Sequence, residues 1–506
     1  MRHRAVRYRR ILGLLGASLL VMSVGTGSTQ SQRSELELLK REMEDLRRRD
    51  EENRRRIEEL QRKIDTLQAA PAPAEKPSTP EAALEKAIQE VAPTPPTPAR
   101  PDIVSGQLGG ARLRLIDISA DLLFAVGWST EPDESLQTLQ GGAHDPRKRG
   151  FTLQAVELSL GGAVDPYFNA ETHITFSIDP LTGETSTELE EAFLTTQSLP
   201  YGLQFKGGHF LTEFGINNPT HAHAWHWLDQ PVIISRLFGG DGMRAPGARL
   251  SWLTPLPWYS EFLLGAQNAN GETLPSFLAN AEVFEERPIG GRPFTDRDVK
   301  SLKDLAYLAR WVNSWNVTDE VTTKFGLSGL FGPNATGRSG YTQIYGADLK
   351  LTWKPVNNFR GWPFLLWESE VLGRWYQASP FLNDSDPANI IDVPKQTLID
   401  WGFYTQALYG FTYRWAGGLR YEYASGVHPS VLVFDGRNQD PFRDNRLRLS
   451  PMLAWYPTEF SRIRLQYNYD HATHLESDGL GNREQDAHSV WMGFEVLIGA
   501  HPAHRY

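Results

Sequence analysis

A chain of 506 residues, 40% apolar and 22% charged, is long enough for a large folded body with appendages and too apolar for a disordered polymer. It contains no cysteine, which excludes a disulfide framework, a thiolate metal site, a cysteine nucleophile and a thiol-linked lipid anchor. The formal charge of −10 is unevenly placed: residues 1–104 hold 19 basic and 16 acidic side chains, leaving the remainder at −13, with no basic footprint for nucleic acid.

Arg2, Arg4, Arg7, Arg9 and Arg10 precede an apolar run over 11–24 and then the small residues of Gly25-Thr26-Gly27-Ser28, predicting a signal peptide over 1–30. The run is about fifteen residues, short of the roughly twenty that a spanning helix needs. Leu36, Met43, Ile57 and Ile64 at a, with Leu39, Leu46, Leu60 and Leu67 at d, predict an α-helical coiled coil over 33–70, its middle layers the polar Asp50 and Asn53. At 1.5 Å per residue, 36–67 spans roughly 48 Å, a useful periplasmic spacer. Residues 71–104 carry Pro71, Pro73, Pro77 and Pro80, a short helical segment over 81–91, then Pro93, Pro95, Pro96, Pro98 and Pro101; this is a semi-rigid linker.

Beyond residue 105 the pattern has a period of two. Ile118, Ala120, Leu122, Phe124, Val126 and Trp128 share one parity, as do Ile463, Leu465, Tyr467 and Tyr469, and Val490, Met492, Phe494, Val496 and Ile498. The other parity is polar, with Arg462 and Arg464 among its members. Alternation over about nine to eleven residues suits a tilted strand crossing a bilayer. Tight connectors at 165–167, 199–202, 255–257 and 457–459 alternate with long ones at 129–149, 215–244, 268–303, 377–398, 425–444 and 471–486. The expectation for 105–506 is an all-β transmembrane barrel of about sixteen antiparallel strands around an aqueous channel, with chain ends on the short-turn side. Glu171, His173, Lys324, Asp348, Lys350, Arg420, Glu422, Arg462 and Arg464 are then lumen-facing residues, which a wet interior accommodates better than a dry one.

Several short motifs resemble one family. They are Arg149-Gly150-Phe151, Val156-Glu157-Leu158, the stretch from Ala163 through Asp165-Pro166-Tyr167-Phe168, Glu191-Ala192-Phe193, Gly208-His209-Phe210, Gly215-Ile216-Asn217-Asn218 and His488-Ser489-Val490-Trp491-Met492-Gly493-Phe494. Over roughly 112–506 the chain resembles the outer-membrane porin superfamily that includes the phosphate-selective porin O and P group. Relatives in it are sometimes labelled zinc-regulated TonB-dependent outer-membrane receptors. The resemblance implies a sixteen-stranded, commonly trimeric barrel whose third long loop folds inward as a constriction.

That loop holds the densest local signal, Thr220-His221-Ala222-His223-Ala224-Trp225-His226-Trp227, in which three imidazoles suit zinc, copper or nickel and Asp229 offers an oxygen. On extended backbone His221 and His223 point the same way; on a helix His223 and His226 are neighbours. The plainer reading is a set of loop histidines lining a polar vestibule. Apart from zinc at His221, His223 and His226, no cofactor is expected. Arg236, Asp241 and Arg244 add charges of both signs, which at a constriction set ion selectivity. Glu190-Glu191 are adjacent on a predicted strand, so they are expected to point to opposite faces and not to share a site. No Gly-x-Ser-x-Gly nucleophile motif accompanies His173 or His488 as possible bases, so no enzyme is expected.

The functional expectation is passive diffusion of small hydrophilic solutes or ions across the outer membrane, by a homotrimer whose coil is a trimerisation stalk or periplasmic spacer. The alternatives are a metal-related uptake receptor and a tether from outer membrane to cell wall through peptidoglycan contact.

Overall fold

The computed structural model describes residues 105–499, apart from 109–110, 115, 282, 284–291, 384–390, 428–441 and 476–485. The expected signal peptide, coiled coil and proline-rich linker lie outside the described residues. A short hairpin comes first, β1 (Ser105–Leu108) paired with β2 (Ala111–Arg114). Then follow β3 (Asp117–Ser129), β4 (Gly150–Ala163), β5 (Phe168–Ile178), β6 (Thr185–Thr196), β7 (Leu203–Leu211), β8 (Arg244–Leu253), β9 (Tyr259–Asn268), β10 (Leu305–Asn316), β11 (Val321–Pro333), β12 (Tyr341–Trp353) and β13 (Phe364–Ala378). A second small hairpin, β14 (Phe381–Asn383) with β15 (Ile391–Val393), precedes β16 (Gln396–Thr412), β17 (Trp415–Val427), β18 (Arg446–Thr458), β19 (Ser461–Ala472) and β20 (Asp486–Gly499).

Sixteen of these strands form one closed barrel of sequential antiparallel neighbours, and β20 pairs with β3 to seal it. Closure gives every strand of the ring a neighbour on both sides, the shortest ladder being the four pairs between β6 and β7. Connectors at one end run over 130–149, 179–184, 212–243, 269–304, 334–340, 379–395, 428–445 and 473–485, and those at the other end are no longer than 354–363. The long side is thus interrupted twice, at 179–184 and 334–340, by connectors as tight as turns. Both chain ends of the barrel lie on the short-turn side.

Side-chain parity sorts the two faces. Along β19, Leu465 is 47% exposed on the outside while Arg464 and Gln466 on either side of it are at most 1% exposed. Leu264, Val371, Leu419 and Trp455 continue the apolar exterior around the ring. A surface of this extent facing water would cost on the order of 25 cal/mol for each Å², so the exterior calls for an apolar surrounding.

The interior departs from a simple wet lumen, because three of the long connectors fold into it. The inner loop, 212–243, carries the short helix α2 (Val232–Phe238), all seven residues of which are buried. Phe214, Ile233, Ile234, Leu237 and Phe238 pack with Phe277 and Leu278 of 269–304 and with the inward-facing Leu308, Leu330, Ile344 and Leu372 of the wall. From 130–149, the short helix α1 (Asp133–Leu139) sets Leu136 and Leu139 against Leu228 and Trp491. Wall glycines make room for the loop: a β-carbon on Gly418 would stand 2.9 Å from the Trp227 ring, and one on Gly493 would stand 2.0 Å from a Leu228 methyl. At this level the barrel holds a packed core.

Candidate functional site

The inner loop is fixed to two adjoining arcs of the wall by two different kinds of anchor. On the β17–β20 side the anchors are arginines. Asp229, 1% exposed, takes a hydrogen bond from Arg420 and others from Arg448 (3.0 Å), Gln466 (2.8 Å) and Asn468 (2.7 Å). Burial alone would raise its pKa, but Arg420 and Arg448 outweigh that and hold the carboxyl well below the usual range. Around this knot, Trp227 donates to the Ser450 carbonyl (2.9 Å), Gln466 accepts from the Leu228 amide (2.8 Å) and Glu422 accepts from the Val232 amide (2.7 Å). Arg464 donates to the carbonyls of Trp225 and Trp227, both at 2.9 Å, and Arg462 donates to that of His223 at 2.8 Å.

The charges expected to face water are therefore largely paired. Glu495 binds both Arg462 and Arg464, Arg420 lies 2.7 Å from Glu422, and Asp348 lies 2.6 Å from Arg310. A buried charge is tolerable when a partner and hydrogen bonds replace its lost water. Arg236 reaches Asp444 at 2.8 Å, and Arg244 pairs with Glu188. Lys350, 2.7 Å from Glu368, is partly exposed, and Lys324 lies opposite it in the ladder and is exposed.

On the β3–β6 side the anchors are histidines. His221 precedes a single 3-10 turn, Ala222–Ala224, so His221 and the central His223 both meet the wall. His221 Nδ1 lies 2.9 Å from Glu190 Oε2 and 3.5 Å from Glu157 Oε2, and its Nε2 lies 2.8 Å from Glu191 Oε2. His223 Nδ1 is 2.8 Å from Glu157 Oε2 and 3.6 Å from Asp121. From the wall, His173 Nδ1 is 2.9 Å from Glu157 Oε1, with Glu171 at 3.9 Å from its other nitrogen. From 130–149, His144 meets Glu190 at 3.1 Å and Asp241 at 3.6 Å. Burial opposes a charge on His221 and His223, but the surrounding carboxylates, Glu157 foremost, outweigh it and raise both.

Two expectations need correcting. Glu190 and Glu191 do share a site, because Glu190 is an extra residue in β6: His173 pairs with Glu191 and Ile174 with Leu189, leaving Glu190 as a bulge. A bulge breaks the alternation locally, so both carboxylates face inward and both reach His221. The same device in β4 turns Gln154 inward, where it donates to the carbonyls of His144 and Leu228. The second correction concerns His226, which does not join His221 and His223. It lines a separate cavity of about 90 Å³ with Lys350, Glu368, Gln406 and Arg420. Burial pulls its pKa down to about 4, against the attraction of Glu368.

A buried cluster able to hold a metal ion is present, although its members differ from the three loop histidines. Glu157, His173 and His221 each place one donor atom within 4.8 Å of the other two. Glu157, His144, Glu190 and Glu191 were not legible as site residues. Glu157 sat inside an ordinary alternating run, and nothing local marks a bulge. His488 lies on the outer face, 2.7 Å from the Tyr467 hydroxyl.

No family model matches the chain. Over 414 residues it is 29% identical to an uncharacterized protein of Aquifex aeolicus (strain VF5), spanning 78% of this chain and 80% of that one. Among solved structures it is similar to the outer membrane channel DcaP of Acinetobacter baumannii, at 10% identity and a TM-score of 0.46 over 76% of this chain and 97% of that one. It is also similar to an anion-selective porin from Comamonas acidovorans, at 8% identity and a TM-score of 0.45 over 76% and 99%. A third, Pseudomonas putida OprB, matches at 11% identity and a TM-score of 0.43 over 76% and 94%. At these identities none of the three lends this chain a solute.

Proposed function

We propose that the barrel is an outer-membrane channel through which ions and very small hydrophilic solutes diffuse, narrowed by the inner loop. The observation that carries this reading is the closed sixteen-strand ring with an apolar exterior and charged interior, since such a ring is stable across lipid and encloses polar space. A vestibule of about 450 Å³ lined by Arg147, Arg236, Asp241, Glu272 and Arg446 has room for about fifteen waters at roughly 30 Å³ each. The inner cavity beside His226 has room for about three. Spaces of these sizes admit ions and small hydrophilic solutes, and the acidic excess of the chain favours cations.

In this reading outer-membrane lipid surrounds the apolar belt, the barrels associate as trimers, and the heptad region 33–70 is a periplasmic stalk or spacer. Purified protein reconstituted in planar bilayers is expected to give small stepwise conductances with a cation-selective reversal potential in a salt gradient. Silence from barrels that are folded by circular dichroism and gel mobility would refute the channel and favour a tether. Deletion of 33–70 is expected to leave monomeric conducting barrels; intact trimers after that deletion would remove the stalk.

A further inference from the structure

We infer that Glu157, His173 and His221 form a binding site for a divalent transition-metal ion of the zinc class, bridging the barrel wall and the inner loop. Glu157 comes from β4, His173 from the adjacent β5, and His221 from the loop, so one ion would join three separate parts of the chain.

The donor spacing fits. Four-coordinate zinc holds nitrogen and oxygen at about 2.0–2.2 Å, which puts neighbouring donors roughly 3.4 Å apart along a tetrahedral edge. Glu157 places Oε1 at 2.9 Å from His173 Nδ1 and Oε2 at 3.5 Å from His221 Nδ1, and one donor atom of each residue lies within 4.8 Å of the other two. Small rotations of side chains would therefore admit an ion in place of the protons between them. Orienting groups are also in place: Glu191 holds one ring nitrogen of His221 at 2.8 Å, and Glu171 lies 3.9 Å from His173 Nε2, behind the Nδ1 that faces Glu157. Carboxylates behind metal-binding imidazoles fix the ring and raise its basicity. His223, 2.8 Å from Glu157, is the nearest further donor.

Charge is the second, independent argument. Elsewhere in the lumen several acids meet permanent cations, as Asp229 meets Arg420 and Arg448, and Asp400 meets Arg374 and Arg443, while Asp145 and Glu370 are held by hydrogen bonds. Among the described residues, the ion pairs of Glu157, Glu190 and Glu191 are made to imidazoles alone. Three buried carboxylates there meet exchangeable protons at contact distance, while Lys206 acts on Glu191 and Arg244 on Glu190 from farther away. A divalent cation is the other species that balances them, and two imidazoles with one carboxylate favour zinc, cobalt, nickel or copper over calcium or magnesium. The side chains of His173 and His221 keep 15% and 13% of their surface open, so one face of the cluster stays accessible.

This site does not depend on diffusion through the barrel, and its test reads binding. Full-length protein in detergent, stripped with a chelator, is titrated calorimetrically with zinc chloride at neutral pH in two buffers of different ionisation enthalpy. One ion per barrel is expected, with proton release visible as a buffer-dependent heat. His173→Ala and His221→Ala are each expected to weaken binding tenfold or more, whereas His226→Ala and His488→Ala leave it within twofold. Gel mobility and circular dichroism establish that each variant is folded. Should an alanine variant misfold, the near-isosteric Glu157→Gln replaces it. Cobalt bound to the wild type supplies a second readout, as visible bands of a tetrahedral nitrogen and oxygen site. Wild-type affinity weaker than about 1 mM, or affinity retained in every folded variant of Glu157, His173 and His221, would overturn the assignment.

Discussion

Replacing Asp229 with asparagine tests whether the arginine side holds the inner loop in place. The substitution keeps the shape but removes the charge that faces Arg420 and Arg448 and turns one acceptor into a donor pointing at donors. Breaking a buried ion pair by altering one partner costs about 3–5 kcal/mol. Here the lower end applies, because each arginine keeps another carboxylate: Arg420 retains Glu422 at 2.7 Å, and Arg448 retains Asp470 at 2.8 Å. A loss of about 3 kcal/mol is roughly a hundredfold rise in the population of the undocked loop, at about 1.4 kcal/mol per tenfold. Hydrogen exchange read by mass spectrometry is expected to show faster exchange over 225–238, with the strands of the wall unchanged. Single-channel records are expected to become larger and noisier. Wild-type exchange over 225–238 in a folded Asp229→Asn barrel would refute the view that this knot holds the loop.

Deleting Glu190 removes the extra residue of the bulge, so the β5–β6 ladder becomes regular and the barrel is expected to fold, while 130–149 and 212–243 exchange faster because His144 and His221 each lose a carboxylate. Collapse of protection across β5–β7 would show instead that the wall itself needs the bulge. The docking of 130–149 is expected to weaken at alkaline pH: burial disfavours the charged form of His144, yet the hydrogen bond and charge of Glu190 and the charge of Asp241 raise its pKa from 6.5 to about 9. A pKa raised on folding stabilises fully below about 6.5 and is lost as pH climbs through about 9. Exchange of 130–149, corrected for its intrinsic pH dependence, is expected to accelerate across that window in the wild type and to stay level in His144→Gln. An identical profile in both would remove His144 as the cause.

The wall was legible because lipid imposes one rule on every crossing: whatever faces outward must be apolar along its full length. That is why the alternation in β19 and β20 places Leu465 and Met492 outside and Arg464 and Glu495 inside without reference to any other part of the chain. The lumen obeys no such local rule. Whether an inward arginine meets water or a partner depends on residues far away in sequence: Asp229 answers Arg420 across 191 positions. Reading those charges as facing water therefore missed their partners, Asp229 of the inner loop for Arg420 and other wall residues for Arg462, Arg464, Asp348 and Lys350. Bulges are similarly silent, because a single added residue leaves the composition of β6 unchanged while reversing where Glu190 points.

The two sets of anchors differ in a way that matters for control. Arginine keeps its charge at any ordinary pH, and Asp229, its partner on the loop, is drawn below its usual range, so this attachment is constant near neutrality. Imidazole titrates in the accessible range and exchanges its proton for a metal ion. The loop is thus fastened along one wall by charges that do not change and along the other by charges that do. A response of the loop to pH or to a divalent ion is then expected to begin at its titratable anchors, the imidazoles of the β3–β6 wall and Asp145, which burial raises to about 7 beside the Gln230 amide, with the arginine side acting as the fixed point about which the loop loosens.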